Sequence, residues 1–485
     1  MQKKFLKSLI LILTLNLLIK PFWVLGIDRT VQNIVGAKDF GFYFVIFNFS
    51  FLFNIILDLG ITNYNNRNIA RNSHLLKDNF QRLVPVKIIL GAVYSIITFV
   101  FFLSIFGYEQ RQVQILGFLC INQFLLSFIL YLRSNIAGLL LLTTESIMSV
   151  LDRVLMIIIC GVLLWGNLIK GSFKIEWFVY SQTIAYIITA LIGSIIVIKK
   201  SKFEKIIWDK KFSLKILKES FPYALLVLLM TFYNRIDPIL IKKILGASIR
   251  DQQAGIYASA FRILDASNMI AYLFSVLLLP IFSKMIKHNE SVDKIVKLST
   301  TILITGAVIV SFGLSFYSYN IIDLLYKEHI AESAAVFKIL IFGFIPIAST
   351  YIFGTLLTAN GSLKALNIIA GSGMILSIIL NLILIPKLMA LGSAYASISA
   401  QYITAVAQII FAQYIFKFKI NYNLLIKILL FVSGVIVINI FSKQLNFDWK
   451  LNFTIMIAAS LLLASLLRLF SIKSLLKIIT EKEEV

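Results

Sequence analysis

Between Tyr233 and Pro280 four charges stand inside apolar sequence: Arg235 and Asp237 just before Pro238, then Arg262 and Asp265 beyond Gly255-Ile256-Tyr257. A charge at mid-depth in a membrane helix costs about 3 kcal/mol or more unless it is paired or faces a wet cavity, so such residues mark a pathway or binding site. Arg262 and Asp265 are three apart and share a helix face; the carboxylate can hold the guanidinium while no anion is bound, or the two can form a permanent packing pair. Asp152 and Arg153 make a second intramembrane cluster. Neighbouring residues on a helix point about 100° apart, so each is expected to meet another helix, as an inter-helix ion pair or a substrate contact. Asp58 ends a further apolar run, and a polar segment carries Arg67 and Arg71 one turn apart, two guanidiniums on one face able to meet phosphate or lipid headgroups.

Other chemistry is missing from the sequence. No Gly-x4-Gly-Lys-Ser/Thr phosphate loop occurs. His74, His288 and His329 are scattered without ligand spacing, and Cys120 and Cys160 stand alone, so neither a metal, a cofactor nor a disulfide is implied. No predicted outer loop exceeds about fifteen residues, too short for the catalytic loop of a polytopic polymerase or glycosyltransferase. The expectation is a carrier rather than an enzyme.

The elements that must position these charges are membrane helices. Of 485 residues 59% are apolar and 14% charged, and the mean hydropathy is +0.90, which excludes a soluble globular chain. Runs long enough to span number about fourteen, near 6–27, 41–61, 83–106, 115–134, 147–166, 175–198, 221–241, 255–279, 298–319, 337–358, 366–386, 392–416, 426–441 and 451–469. The net charge of +23 would suggest nucleic acid in a soluble protein; here its placement matters. With the N-terminus inside, about 28 Lys and Arg fall on cytoplasmic segments against about 13 on outer ones, as the positive-inside rule requires. Both termini are therefore expected to be cytoplasmic, with membrane lipids and not nucleic acid as the partner of the basic excess.

At the start, Lys3, Lys4 and Lys7 precede Leu9–Ile19 and imitate a signal peptide, with Val24-Leu25-Gly26 as a cleavage-like site, although the run is long enough to span. Lys20-Pro21 interrupts that run where a kink can open the backbone; Lys20 otherwise snorkels to the outer interface. Lys87, just inside the third span, is read as snorkelling too. The segment from Lys199 to Lys218 carries eight lysines and separates two six-helix halves. Gly36-Ala37 with Gly41-Phe42-Tyr43 is echoed by Gly246-Ala247 with Gly255-Ile256-Tyr257, as if one unit had been used twice. Each half holds an even number of helices, so the pseudo-symmetry axis lies along the membrane normal. The expected organisation is a lobe over 1–200, a cytoplasmic linker over 201–220, a second lobe over 221–416, and two further helices with a charged tail over 417–485.

The run Gly36 to Tyr43, Asp58-Leu59-Gly60-Ile61, Arg235-Ile236-Asp237, Gly255-Ile256-Tyr257-Ala258, and Asn381 to Lys387 followed by Gly392-Ser393-Ala394 resemble, in order and position, the polysaccharide-transporter branch of the multidrug/oligosaccharidyl-lipid/polysaccharide (MOP) exporter superfamily. The likeness covers most of the first 416 residues. It implies an O-antigen-type flippase of the bacterial inner membrane, all-α, with two pseudo-symmetric six-helix lobes around a central cavity. The implied cargo is an oligosaccharide on undecaprenyl pyrophosphate, destined for polysaccharide or lipopolysaccharide, with a polysaccharide polymerase and assembly proteins as partners. Relatives that export peptidoglycan precursor are richer in arginine along the first two helices, where this chain offers Lys20.

Such cargo needs fixed cations in a wet groove, because a pyrophosphate with its sugars cannot cross about 30 Å of hydrocarbon unaided. At about 1.5 Å per residue, Lys20 and Arg235 each lie about 21 Å from the cytoplasmic ends of their helices, and Arg262 about 10 Å from the outer end of its own. The three are therefore expected in one layer as a pyrophosphate site, with Asp58, Arg153, Asp237 and Asp265 in coupling or charge pairing and Arg67 and Arg71 at headgroups. Two other readings remain: a multidrug exporter coupled to cations through Asp58, Asp237 or Asp265, and a non-transporting scaffold of envelope assembly.

Overall fold

The computed structural model describes residues 14–16, 18, 19, 21–62, 65, 69, 73–139, 141–166, 173–201, 205–418 and 421–469. Among them every regular element is a helix: α1 (Trp23–Leu52), α2 (Leu76–Phe106), α3 (Gln110–Gly138), α4 (Leu142–Trp165), α5 (Ile175–Ser201), α6 (Lys210–Arg235), α7 (Asp237–Ile244), α8 (Arg250–Lys287), α9 (Asp293–Phe316), α10 (Ser318–Leu325), α11 (Ile330–Leu340), α12 (Phe344–Ala359), α13 (Leu363–Phe416), α14 (Tyr422–Gln444) and α15 (Trp449–Leu466). Ten of the described helices are long and apolar enough to cross a membrane, or eleven if the bent pair α6–α7 forms one span. The 54-residue α13 would be about 80 Å long if straight, well beyond a bilayer of about 45 Å. It breaks at Met389 (φ 52°, ψ −131°), and its arms cover the two spans predicted at 366–386 and 392–416. Each predicted span after the first has its helix; of 6–27, residues 6–13, 17 and 20 fall outside the described residues.

The chain divides into two compact units: Met1–Ala258 with Leu325–Glu328 and Asn381–Ala390, and Ser259–Leu324 with His329–Leu380 and Leu391–Val485. In the first, α1 opens as a π-helix over Trp23–Asp28, directly after Pro21, whose ring and missing N–H disturb the ordinary ladder. Gly36 then bends α1 by adopting φ 81°, a conformation open to glycine without a Cβ clash. The arm beyond it is lined with aromatics that fill the unit: Phe49 meets Phe102 of α2 edge-on at 5.1 Å, and Tyr43 meets Phe178 of α5 at 5.4 Å. At another part of the unit Ile61, Phe80, Leu83, Tyr131 and Met148 form an apolar cluster.

The span expected as one helix over 221–241 is two. α6 begins earlier, at Lys210, where the Asp209 side chain accepts from the Phe212 N–H, so the second part of the expected linker is helical. It ends at Arg235, and α7 leaves at 50°. Pro238 is the cause: at the start of α7 it costs no hydrogen bond, whereas within a continuous helix its ring would clash with the carbonyl four residues back.

In the second unit α14 and α15 pack on α9. Phe431, Val435 and Ala464 close against Val308 and Ile309, and the Tyr317 hydroxyl lies 2.8 Å from that of Ser442. The last two helices are thus integral to this unit.

Candidate functional site

The break between α6 and α7 places two of the sequence-predicted residues side by side. Arg235, the last residue of α6, lays its guanidinium over the Phe51 ring at 5.1 Å and donates to Asn48 Oδ1 at 3.4 Å. Asn48 is itself buried and donates to the Phe44 carbonyl at 2.7 Å. Asp237, at the first turn of α7, is 1% exposed. It accepts from the Tyr257 hydroxyl at 2.7 Å and from the Asn381 amide at 2.9 Å. The carboxylate therefore joins α7, α8 and α13, and the adjoining helix N-terminus favours its negative charge.

Around this point α1 and α8 meet without side chains between them. A Cβ on Gly41 would lie 1.8 Å from the Asp251 carbonyl oxygen, and one on Gly255 would lie 2.0 Å from that of Ala37. Gln32 donates across the contact to the Gly255 carbonyl at 3.2 Å. Where Gly36 interrupts the helical ladder, the freed Ala37 N–H donates to Glu328 at 2.9 Å. Asn33 completes the attachment, donating to the Leu325 carbonyl at 2.8 Å and accepting from the Lys327 N–H at 3.1 Å. Of the Gly-based echo read from the sequence, Gly41 and Gly255 thus meet each other, whereas a Cβ on Gly246 would meet nothing within 4 Å.

Lys242 escaped the sequence reading, which placed it beyond the end of a span. It is 2% exposed, 3.3 Å from Asp251 and 4.8 Å from the centre of the Phe42 ring. Its signal was available in the Asp237–Lys242 spacing on a helix too short to carry both charges to water. Asn381 was seen only as part of a motif; an amide inside an apolar run must find a partner, and its partner is Asp237.

Lys87 corrects an expectation. Read as snorkelling, it is 1% exposed, bonded to Asp58 and, at 3.0 and 3.2 Å, to the Leu57 carbonyl and the Ser127 hydroxyl. Pro85 lies inside α2, and the helix runs seven residues earlier than predicted, which carries Lys87 away from the interface. Arg153 and Asp152 do approach each other, Nε to Oδ2 at 3.6 Å, with the guanidinium over Trp23 of α1 at 5.6 Å; the neighbouring-helix contact is aromatic. Arg111, also unremarked in the sequence, bridges Asp39 at 3.1 Å and Glu176 at 2.7 Å.

Arg262 and Asp265 belong to the second unit, three residues apart on α8 and both half-buried. Lys20, Arg67 and Arg71 lie outside the described residues.

With ten or eleven described helices long and apolar enough to cross a membrane, the chain is a multi-pass membrane protein, and its fold is that of solved MOP superfamily members. The lipid II flippase MurJ in an inward closed conformation matches with a TM-score of 0.65 at 15% identity, over 96% of this chain and 99% of that one. An inward-facing multidrug resistance MATE family transporter of the MOP superfamily matches with a TM-score of 0.62 at 14% identity, over 83% of this chain and 94% of that one. A MOP superfamily transporter from Pyrococcus furiosus matches at 0.57 and 13% identity, over 84% and 94%. No curated protein matches the chain. The chain belongs to the polysaccharide biosynthesis protein family, whose profile matches residues 5–286.

Proposed function

We propose that this protein is a flippase that carries an oligosaccharide on undecaprenyl pyrophosphate across the bacterial cytoplasmic membrane, inner to outer leaflet, by alternating access. The observation that favours a glycolipid over a drug is coverage. The lipid II flippase spans 96% of this chain, whereas the MATE transporter spans 83%, the shortfall expected if the last two helices have no counterpart. Membership of a polysaccharide biosynthesis family supports the same cargo.

In this reading Lys20, Arg235 and Arg262 receive the pyrophosphate, the arginines by bidentate hydrogen bonds and the lysine as a point charge. Asp237 and Asp265 couple transport to an ion gradient, and Asp58 and Arg153 hold charge balance within the first unit. Arg67 and Arg71 meet headgroups on the cytoplasmic side, where both termini lie. A polysaccharide polymerase withdraws the product.

The test is isolation of lipid-linked oligosaccharide from a strain lacking this chain. Cargo accumulating on the cytoplasmic leaflet supports the flippase. Drug sensitivity with normal glycan display points to a multidrug exporter, and loss of other assembly proteins with normal leaflet distribution points to a scaffold.

A further inference from the structure

Where α9 and α14 begin and α15 ends, the second unit holds a cavity of about 360 Å³. Lys294, Lys297, Lys427 and Arg468 line it, and no carboxylate is among its described lining residues. Asp293, the nearest acid in sequence, is engaged with the Ser291 hydroxyl at 2.9 Å.

The arrangement is unfavourable as it stands. Lys294 in the first turn of α9 and Lys297 three residues on share one face, near the positive end of its dipole, where lysine is disfavoured. α14 directs a second N-terminus into the same space, its first free N–H groups partly met by Asn421, whose side chain accepts from Leu424 at 2.9 Å. Arg468 is delivered by the way α15 ends. It takes φ 55°, a left-handed conformation that costs a non-glycine residue about 1 kcal/mol. The turn is closed by Arg468 N–H to the Ser465 carbonyl and Leu469 N–H to that of Ala464, both at 2.9 Å. Four cations and two helix N-termini around one cavity suit an anion with several acceptor oxygens.

The walls say what that anion is attached to. Leu298, Ile302, Leu424 and Leu469 line the cavity beside the cations. Beyond it Leu425 and Leu429 of α14 and Leu466 of α15 are 50%, 61% and 71% exposed. A free phosphate has no use for that surface, whereas a lipid covers it with its acyl chains while its headgroup sits among the lysines.

We propose that this cavity is a binding site for the phosphate headgroup of an anionic phospholipid, separate from the transport pathway and holding the last two helices against α9. The proposal does not rest on the identity of the cargo, because it is read by binding alone. The experiment is native mass spectrometry of the full chain in micelles titrated with phosphatidylglycerol or phosphatidylcholine. The wild type should retain one phosphatidylglycerol in preference to phosphatidylcholine. Lys297→Gln with Lys427→Gln should lower that retention about thirtyfold, and Lys297→Arg with Lys427→Arg should preserve it. If the Gln pair fails to fold, the Arg pair and the salt response of the wild type decide: retention unchanged between low and high salt overturns the site. Equal retention by a folded Gln pair also overturns it. Displacement of the lipid by inorganic phosphate at comparable concentration would show an adventitious ion only.

Discussion

Gly41 of α1 and Gly255 of α8 touch backbone to backbone: a Cβ on Gly41 would come within 2.5 Å of the Gly255 nitrogen. Backbone cannot yield as a flexible side chain can, so even alanine at either position forces the helices apart. Overpacking of this kind costs about 1–3 kcal/mol. Gly41→Ala and Gly255→Ala should each bias the protein away from the closed contact. The measurement is oxidative cross-linking between cysteines placed on α1 and α8 beside this contact, leaving Asp251 in place, with Cys120 and Cys160 replaced by serine. Cross-linking that is as fast with Gly41→Ala as without it would show that the contact is not required.

Glu328 should act on the same contact from its other side. Its carboxylate accepts from the Ala37 N–H that the break at Gly36 leaves without a helical partner. Glu328→Gln keeps the shape and one acceptor oxygen but removes the charge, and Glu328→Ala leaves the N–H unmet, weakening the contact by about 1–3 kcal/mol. Cross-linking should therefore fall in the order wild type, Gln, Ala; the reverse order, or no change, excludes a clasp.

The Lys87–Asp58 pair predicts a stability effect of a different size. Removing Lys87 leaves a carboxylate that keeps only a quarter of its exposure, so Lys87→Met should cost about 2–3 kcal/mol, less than a fully buried pair. Lys87→Met combined with Asp58→Asn should recover part of it. Thermal unfolding in detergent reads both variants, and a single variant as stable as the wild type rules out the pair as a source of stability.

Much of this could be read from residue types, and the remainder could not for reasons visible in particular residues. Helices were legible because about 20 apolar residues in a row have few alternatives, but the break before Pro238 was not drawn, because the apolar run continues past it and 221–241 reads as one span. The early starts of α2 and α6 were not, because Lys77, Asp78, Lys210 and Lys211 carry helices out past the apolar run, and hydropathy ends where the lipid does. Lys87 was misread because a lysine near a span end looks the same whether it reaches for water or turns inward to Asp58; the partner is distant in sequence. Lys242, Asn381 and Glu328 share that cause, each meeting a residue on another element. Arg235 and Asp237 were singled out by their charge within apolar sequence, but their companions Asn48, Phe51 and Tyr257 carry no mark in the sequence.

Asp237 separates coupling from packing. Its two oxygens accept from Tyr257 and Asn381, and an asparagine there can keep both bonds if the Asn381 amide turns over. Asp237→Asn should therefore fold to normal abundance while losing the dependence of glycan display on the ion gradient. Measuring display with and without a sodium or proton ionophore decides this. A variant that responds to the ionophore as the wild type does would remove Asp237 from coupling.

Arg235 carries the sharpest prediction for cargo. Its guanidinium lies over Phe51 and reaches Asn48 by a long bond at 3.4 Å, which an incoming phosphate could replace with short charge-assisted bonds. Arg235→Ala should lower glycan display by tenfold or more at unchanged protein abundance, the loss of about 1.4 kcal/mol or more of binding to a charged group. Arg235→Lys should restore part of it, since a lysine keeps the charge but cannot form the planar fork or stack as well on Phe51. Lys20→Ala and Arg262→Ala, tested in the same strain, should lower display as well if the three share the pyrophosphate. A structural role predicts another pattern: Arg235→Ala would lower protein abundance and Arg235→Lys would restore abundance and display together. Normal display by all three alanine variants at wild-type abundance would sink the shared anion site.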